Sequence, residues 1–99
     1  MIDLDLNKVK AAAMVLRALK NPLREKMLVL IDENPGITVT GIYVKMRLEQ
    51  SVASQHLAIL RESSIVRTER EGKSIRYYAA YDTIKAISSL VDELATLFK

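Results

Sequence analysis

At 99 residues with a net charge of +3, the chain is sized for one domain with a modest core, one that a second copy would enlarge. Although 49% of it is apolar, no run is long enough to cross a bilayer, and the acidic start Met1-Ile2-Asp3-Leu4-Asp5 lacks the basic and apolar blocks of a secretion signal. Cysteine is absent, which excludes disulfides, thiolate metal sites and thiol redox sensing and points to a cytoplasmic address.

From Asp5 to Lys20, Leu6, Val9, Ala13, Leu16 and Leu19 recur at helical spacing, and Asn21-Pro22 ends the run. Pro22 suits the first turn of a second helix, in which Leu23, Met27, Leu30 and Ile31 form the buried stripe and which Asn34-Pro35-Gly36 stops. Thr38 is placed to cap a short third helix carrying Ile42, Tyr43 and Met46, because its hydroxyl can accept a bond from a first-turn amide. After a turn at Arg47-Leu48-Glu49, a fourth helix runs from about Gln50 to Glu62. Ala53, Leu57 and Leu60 share one face of it, and Ser51, Ser54, Gln55 and Ala58 are left outside.

Between Ile65 and Ala79 the period changes to two. Val66, Thr68 and Arg70 alternate with Arg67, Glu69 and Glu71, then Ile75, Tyr77 and Ala79 with Ser74, Arg76 and Tyr78, and Glu71-Gly72-Lys73 makes the turn of a two-stranded hairpin. Of the two tyrosines, one is expected in the core and one outside, as packing rather than base-stacking groups. Asp82 is expected to cap a last helix reaching Phe98, whose apolar residues Ile84, Ile87, Leu90, Val91, Leu94, Leu97 and Phe98 cover more than one face. The hairpin and the small helices cannot cover that surface, so the first and last helices imply a partner, most simply a second copy about a two-fold axis. The interface residues expected are Leu6, Val9 and Leu16 from the first helix with Ile87, Leu90, Val91, Leu94, Leu97 and Phe98 from the last.

Positive charge is concentrated in the middle of the chain: residues 45–76 carry seven Lys/Arg against four Asp/Glu, and residues 77–99 carry two against three. A short helix with a small polar outer face that leads into a cationic hairpin is suited to duplex DNA. Gln50, Ser51, Ser54 and Gln55 can hydrogen-bond base edges and phosphates in the major groove, whereas the plainer alternative is a solvated helix face. Arg67, Arg70, Lys73 and Arg76 can bring charge to phosphates or the minor groove, although Glu69 and Glu71 dilute it and cross-strand ion pairs are the alternative. Thr38, Lys45 and Arg61 complete the candidate backbone contacts. His56 stands two residues from Ser54 on a helix, so the two side chains diverge and form no nucleophile–base pair; a structural or phosphate-contacting role is expected instead. With no phosphate-binding glycine loop and glycine only at positions 36, 41 and 72, the chain is read as a non-enzyme.

The segments Leu19-Lys20-Asn21-Pro22-Leu23-Arg24, Gln50 to Glu62, Val66-Arg67, Arg70-Glu71-Gly72-Lys73 and Arg76-Tyr77-Tyr78 resemble the ArsR family of bacterial winged-helix repressors over roughly residues 15 to 80. The resemblance implies a mainly α winged helix-turn-helix of order α1-α2-α3-α4-β-β-α5, a homodimer built from the terminal helices (about 5–20 and 82–98), and repression through an inverted-repeat operator. It also places His56 beside the DNA or between helices. Arg47 and Ser64 stand where the family usually has glycine, and Glu49 where it usually has a serine cap. A side chain at such turns either bears strain of about 1 kcal/mol or the turn is rebuilt.

Metal-sensing relatives carry thiolates on the third helix, and the matching positions here are Thr38, Thr40 and Tyr43, none of them a soft ligand. Asp82, Asp92 and Glu93 on the last helix have no histidine among them and read as a solvated face, so no metal and no cofactor is expected. Two other readings remain beside the repressor, neither naming an effector. One is a winged-helix dimer that holds a protein partner; the other is a small-molecule sensor with an apolar pocket near the dimer interface, lined by Met14, Met27 and Met46.

Overall fold

The first three helix starts are each set by a side chain that satisfies otherwise orphaned amides. In the computed structural model, which describes residues 5–97, the order is α1 (Leu6–Leu19), α2 (Pro22–Glu33), β1 (Ile37–Thr38), α3 (Val39–Met46), α4 (Gln50–Glu62), β2 (Val66–Glu71), β3 (Ser74–Ala79) and α5 (Tyr81–Leu97). The Asp5 carboxylate accepts from the Asn7 and Lys8 amides, and Asn21 Oδ1 accepts from those of Leu23 and Arg24. Thr38 Oγ1 accepts from the Gly41 amide at 3.1 Å, as its position before α3 predicts.

The expected hairpin forms, with Thr68 opposite Tyr77 and Glu69 opposite Arg76, around a tip where Gly72 takes φ +62°. Alternation is visible in burial. Val66, Tyr77 and Ala79 are buried and Thr68 and Ile75 half-buried, while on the opposite face Arg67, Glu69, Glu71 and Ser74 are exposed, as is the tip. One strand goes beyond the expected pair: β1 adds to β3 in the order β1-β3-β2, with Ile37 opposite Tyr77. Two residues are too short to carry a period, so this strand leaves no pattern in the sequence. The Arg76 guanidinium donates to the Gly36 carbonyl at 2.8 Å and the Gly36 amide to the Tyr77 carbonyl, which ties β1 to the hairpin. Tyr78 is half-buried rather than exposed, its hydroxyl lying where a Cβ on Gly36 would meet it at 3.3 Å.

The core joins Val15 and Ala18 of α1, Met27 and Ile31 of α2, Ile42 of α3, Ala53, Leu57 and Leu60 of α4, and Ile65, Val66 and Tyr77. Met27, Ile31 and Ile42 are 0% exposed, and truncating any of them to Ala should cost about 2–5 kcal/mol. On α1 the core-facing residues are the small ones, Ala12, Val15 and Ala18, whereas Leu6 and Leu16 are 66% and 50% exposed. Leu6, Met14 and Leu16 therefore point outward, while Leu19 packs against the core.

The start of α5 corrects one expectation. Asp82 does not cap it: the helix begins at Tyr81, two residues before an Asp82 cap would start it, its first backbone bond runs from the Ile84 amide to the Ala80 carbonyl, and the Asp82 carboxylate is turned to Arg67 on β2. The neighbouring Tyr81 hydroxyl donates to Asp32 on α2. None of the described residues of α5 is buried, and Ile84 and Ile87 pack only on the margin of the core. The molecule measures 51 × 25 × 20 Å, and its radius of gyration of 15.1 Å exceeds the roughly 13 Å of a compact chain this long.

Candidate nucleic-acid interface

The helix pair α3–α4 is set by a three-residue turn. Arg47 ends α3 in the left-handed region at φ 56°, and the Leu48 amide then donates back to the Tyr43 carbonyl at 2.9 Å. Glu49 occupies the cap position of α4 without making a side-chain capping bond to the amides of its first turn. At the far end the Ser63 hydroxyl donates to the Leu60 carbonyl, and Ser64 takes φ 68° to swing the chain into β2. Both substituted turns therefore keep the left-handed geometry and carry its strain; neither is rebuilt.

Burial of Ala53, Leu57 and Leu60 orients α4 so that Gln50, Ser51, Ser54, Gln55 and Ala58 are all exposed. The first four make no side-chain hydrogen bond among the described residues, so their donors and acceptors are available to a ligand. His56 is set apart from them. It is half-buried, and its Nδ1 lies 3.2 Å from Arg24 Nη1 on α2.

The cations of the hairpin divide into two classes. Arg70 and Lys73 are exposed and, among the described residues, form no ion pair. Arg67 is engaged by Asp82 at 2.5 Å, and Arg76 by Glu71 at 2.6 Å as well as by the Gly36 carbonyl. Arg76 thus makes the cross-strand ion pair that was the alternative for it, and also holds the Gly36 carbonyl. The hydrogen bond from Arg67 holds the Asp82 carboxyl below its ordinary value, and the bond to Asp32 raises the Tyr81 phenol. Lys45 and Arg61 are exposed, whereas Thr38 is half-buried with its hydroxyl spent on the α3 cap.

Away from α4, exposed apolar side chains gather on α1 and α5. Val91 and Leu97 are 42% and 65% exposed, joining Leu6 and Leu16, while Val9, Ile87, Leu90 and Leu94 are half-buried; Phe98 lies outside the described residues. A groove of about 500 Å³ runs between α1, α5 and the α4–β2 turn. Met14 lines it, but Met27 is in the core and Met46 packs against the core, so the three methionines do not share a pocket. Among the described residues no three His, Asp or Glu side chains come together as a metal site, and no helix is long and apolar enough to cross a membrane.

No protein-family model matches the chain. A curated relative, an uncharacterised HTH-type transcriptional regulator of Methanocaldococcus jannaschii, is 36% identical over 89 residues, covering 90% of this chain and 100% of that one. The homodimeric winged helix-turn-helix DNA-binding domain of a possible ArsR-family regulator from Mycobacterium bovis superposes with a TM-score of 0.76 at 26% identity, covering 97% of this chain and 88% of that one. The chain belongs to the ArsR family of winged helix-turn-helix transcriptional regulators. A further relative, the transcriptional activator HlyU of Vibrio cholerae, is 30% identical over 92 residues, covering 93% of this chain and 83% of that protein.

Within the ArsR frame, α3–α4 is the helix-turn-helix and β2–β3 the wing. One contact leaves no pattern in the sequence: Arg24 of the Asn21-Pro22-Leu23-Arg24 segment meets His56 on α4 and the Ala18 carbonyl on α1. A guanidinium reaching across three helices has no periodicity, and only packing reveals it.

Proposed function

We propose that this ArsR-family chain is a homodimeric, sequence-specific DNA-binding repressor that reads an inverted-repeat operator and carries no metal or cofactor. The observation that carries the reading is the outer face of α4, where Gln50, Ser51, Ser54 and Gln55 are exposed together, with Arg70 and Lys73 of the wing exposed and in no ion pair among the described residues. Small amide and hydroxyl groups at the start of a helix suit hydrogen bonding to base edges, and exposed cations on a flanking hairpin suit phosphates. Lys45 and Arg61 add charge at the ends of α3 and α4. Thr38, His56, Arg67 and Arg76 act more as supports than as contacts, since each already has a partner within the chain.

Dimerisation is supported by the outward apolar residues of the terminal helices, Leu6, Leu16, Val91 and Leu97. A two-fold arrangement would set the two reading helices one DNA turn apart, about 34–36 Å, and bound protein would then occlude a promoter. In the experiment, duplexes are selected from a randomised library with the purified protein and then titrated against Ser54→Glu. The expected result is an inverted-repeat consensus bound by wild type and lost in the variant with the dimer intact, because a carboxylate is placed against the negative groove. Wild-type affinity in Ser54→Glu would show that α4 is not the reading head. A reporter gene under the selected sequence then tests the sign of regulation: repression is expected, and activation would overturn that step alone.

Engagement of Arg67 and Arg76 in ion pairs, with Glu49, Glu69 and Glu71 exposed nearby, favours one second reading, a winged-helix dimer holding a protein partner. Salt separates the two, since a DNA binder touching several phosphates loses affinity steeply as ionic strength rises.

A further inference from the structure

Arg24 joins three helices at one point. Its Nε donates to the Ala18 carbonyl at 2.6 Å, near the end of α1, and its Nη1 lies 3.2 Å from His56 Nδ1 on α4. Arg24 itself is placed in the first turn of α2 by the Asn21 cap, which accepts from the Arg24 amide at 3.2 Å. A guanidinium is always a donor, so Nδ1 accepts and the ring proton of neutral His56 sits on Nε2. Both Arg24 and His56 are half-buried, which limits competition from water for the two bonds.

The position of the link gives it meaning. His56 follows Gln55 directly on α4, on the helical turn that also carries Ser54, while Ala18 is a core residue of the helix whose outer side carries Leu16. We infer that Arg24 is a positioning residue: through His56 it fixes the pitch of the reading helix against α1, and so sets how the two reading heads of a dimer face successive grooves. This rests on the DNA-binding reading above. A planar fork with donors on separate nitrogens can hold a carbonyl and an imidazole at once; a lysine ammonium, with all its donors on one atom, cannot span both. Discrimination between DNA sequences depends on base-edge geometry, whereas general attraction to phosphates tolerates small rotations of the helix. Loss of the link should therefore reduce selectivity and leave non-specific binding in place.

The test uses the full chain, a duplex selected by the wild-type protein from a random library, and an unrelated duplex of equal length. Arg24→Gln and Arg24→Lys should each lower affinity for the selected duplex at least tenfold while changing affinity for the unrelated one less than twofold. His56→Asn places its amide oxygen near the position of Nδ1 and should retain most of the selectivity; His56→Gln, whose oxygen falls near Nε2, should lose it. Should the Arg24 variants fail to fold, the two His56 variants carry the comparison alone. Wild-type selectivity in folded Arg24→Gln, equal loss on both duplexes, or equal behaviour of His56→Asn and His56→Gln would overturn the inference. A wild-type protein that selects no duplex at all would instead remove the DNA-binding reading, and the inference with it.

Discussion

Arg47 and Ser64 hold φ angles of 56° and 68°, where a Cβ crowds the following carbonyl. Both turns that bound α4 are thereby strained by residues that glycine would replace without cost in the folded state. Arg47→Gly and Ser64→Gly should each raise stability by no more than about 0.5 kcal/mol, read from urea midpoints at an unchanged slope. The gain is the strain relieved less the extra freedom glycine has when unfolded.

A second residue-scale prediction concerns Asp82. The hydrogen bond from Arg67 is the largest cause of its lowered carboxyl pKa, and a group lowered in the folded state stabilises at pH above its unfolded value. That contribution is lost as pH falls through the folded value. The melting temperature of wild type should thus exceed that of Asp82→Asn at pH 7, and the difference should shrink and disappear as acid titrates the folded-state carboxyl. It will be small, because the two side chains are 59% and 65% exposed.

At the scale of elements, α4 is the least capped helix of the reading motif. Glu49 offers its first turn no hydrogen bond and sets a carboxylate close to the proposed DNA path. Glu49→Ser should add about 1 kcal/mol of stability through the missing cap and also tighten DNA binding, with thermal melts and duplex titrations reading the two effects separately. The wing separates charge from structure in the same way. Lys73→Ala should weaken binding to all duplexes and reduce the slope of log affinity against log salt by about one. Arg76→Ala should leave that slope alone and cost about 1 kcal/mol of stability, since it removes the guanidinium that ties Gly36 and Glu71 to β3.

At the scale of the whole molecule, the exposed leucines of α1 and α5 matter because they cost the lone chain little to change. Leu16→Glu should leave a folded monomer, as Leu16 is 50% exposed, yet prevent association. Light scattering would read the mass. Affinity for a full inverted repeat should fall by on the order of 10²-fold or more, because the second half-site no longer binds intramolecularly.

Periodicity along the chain is enough to locate the helices, the hairpin and the polar outer face of α4, for those features are local and repeat every 3.6 or two residues. The bounds of α4 and the strand register follow the spacing of Ala53, Leu57 and Leu60 and of Val66, Tyr77 and Ala79. Other features needed the third dimension. The apolar spacing of α1 marks Leu6, Val9, Ala13, Leu16 and Leu19, but packing turns Ala12, Val15 and Ala18 inward and leaves Leu6 and Leu16 outside. Likewise β1 is two residues long, Asp82 prefers a guanidinium on β2 to the amides of its own helix, and Arg24 meets His56 across 32 positions of sequence. Local pattern determined which elements exist and which face of α4 is polar. The tertiary structure decided which cations are free and how the reading helix is held, because those contacts join residues far apart in sequence whose encounter no periodicity encodes.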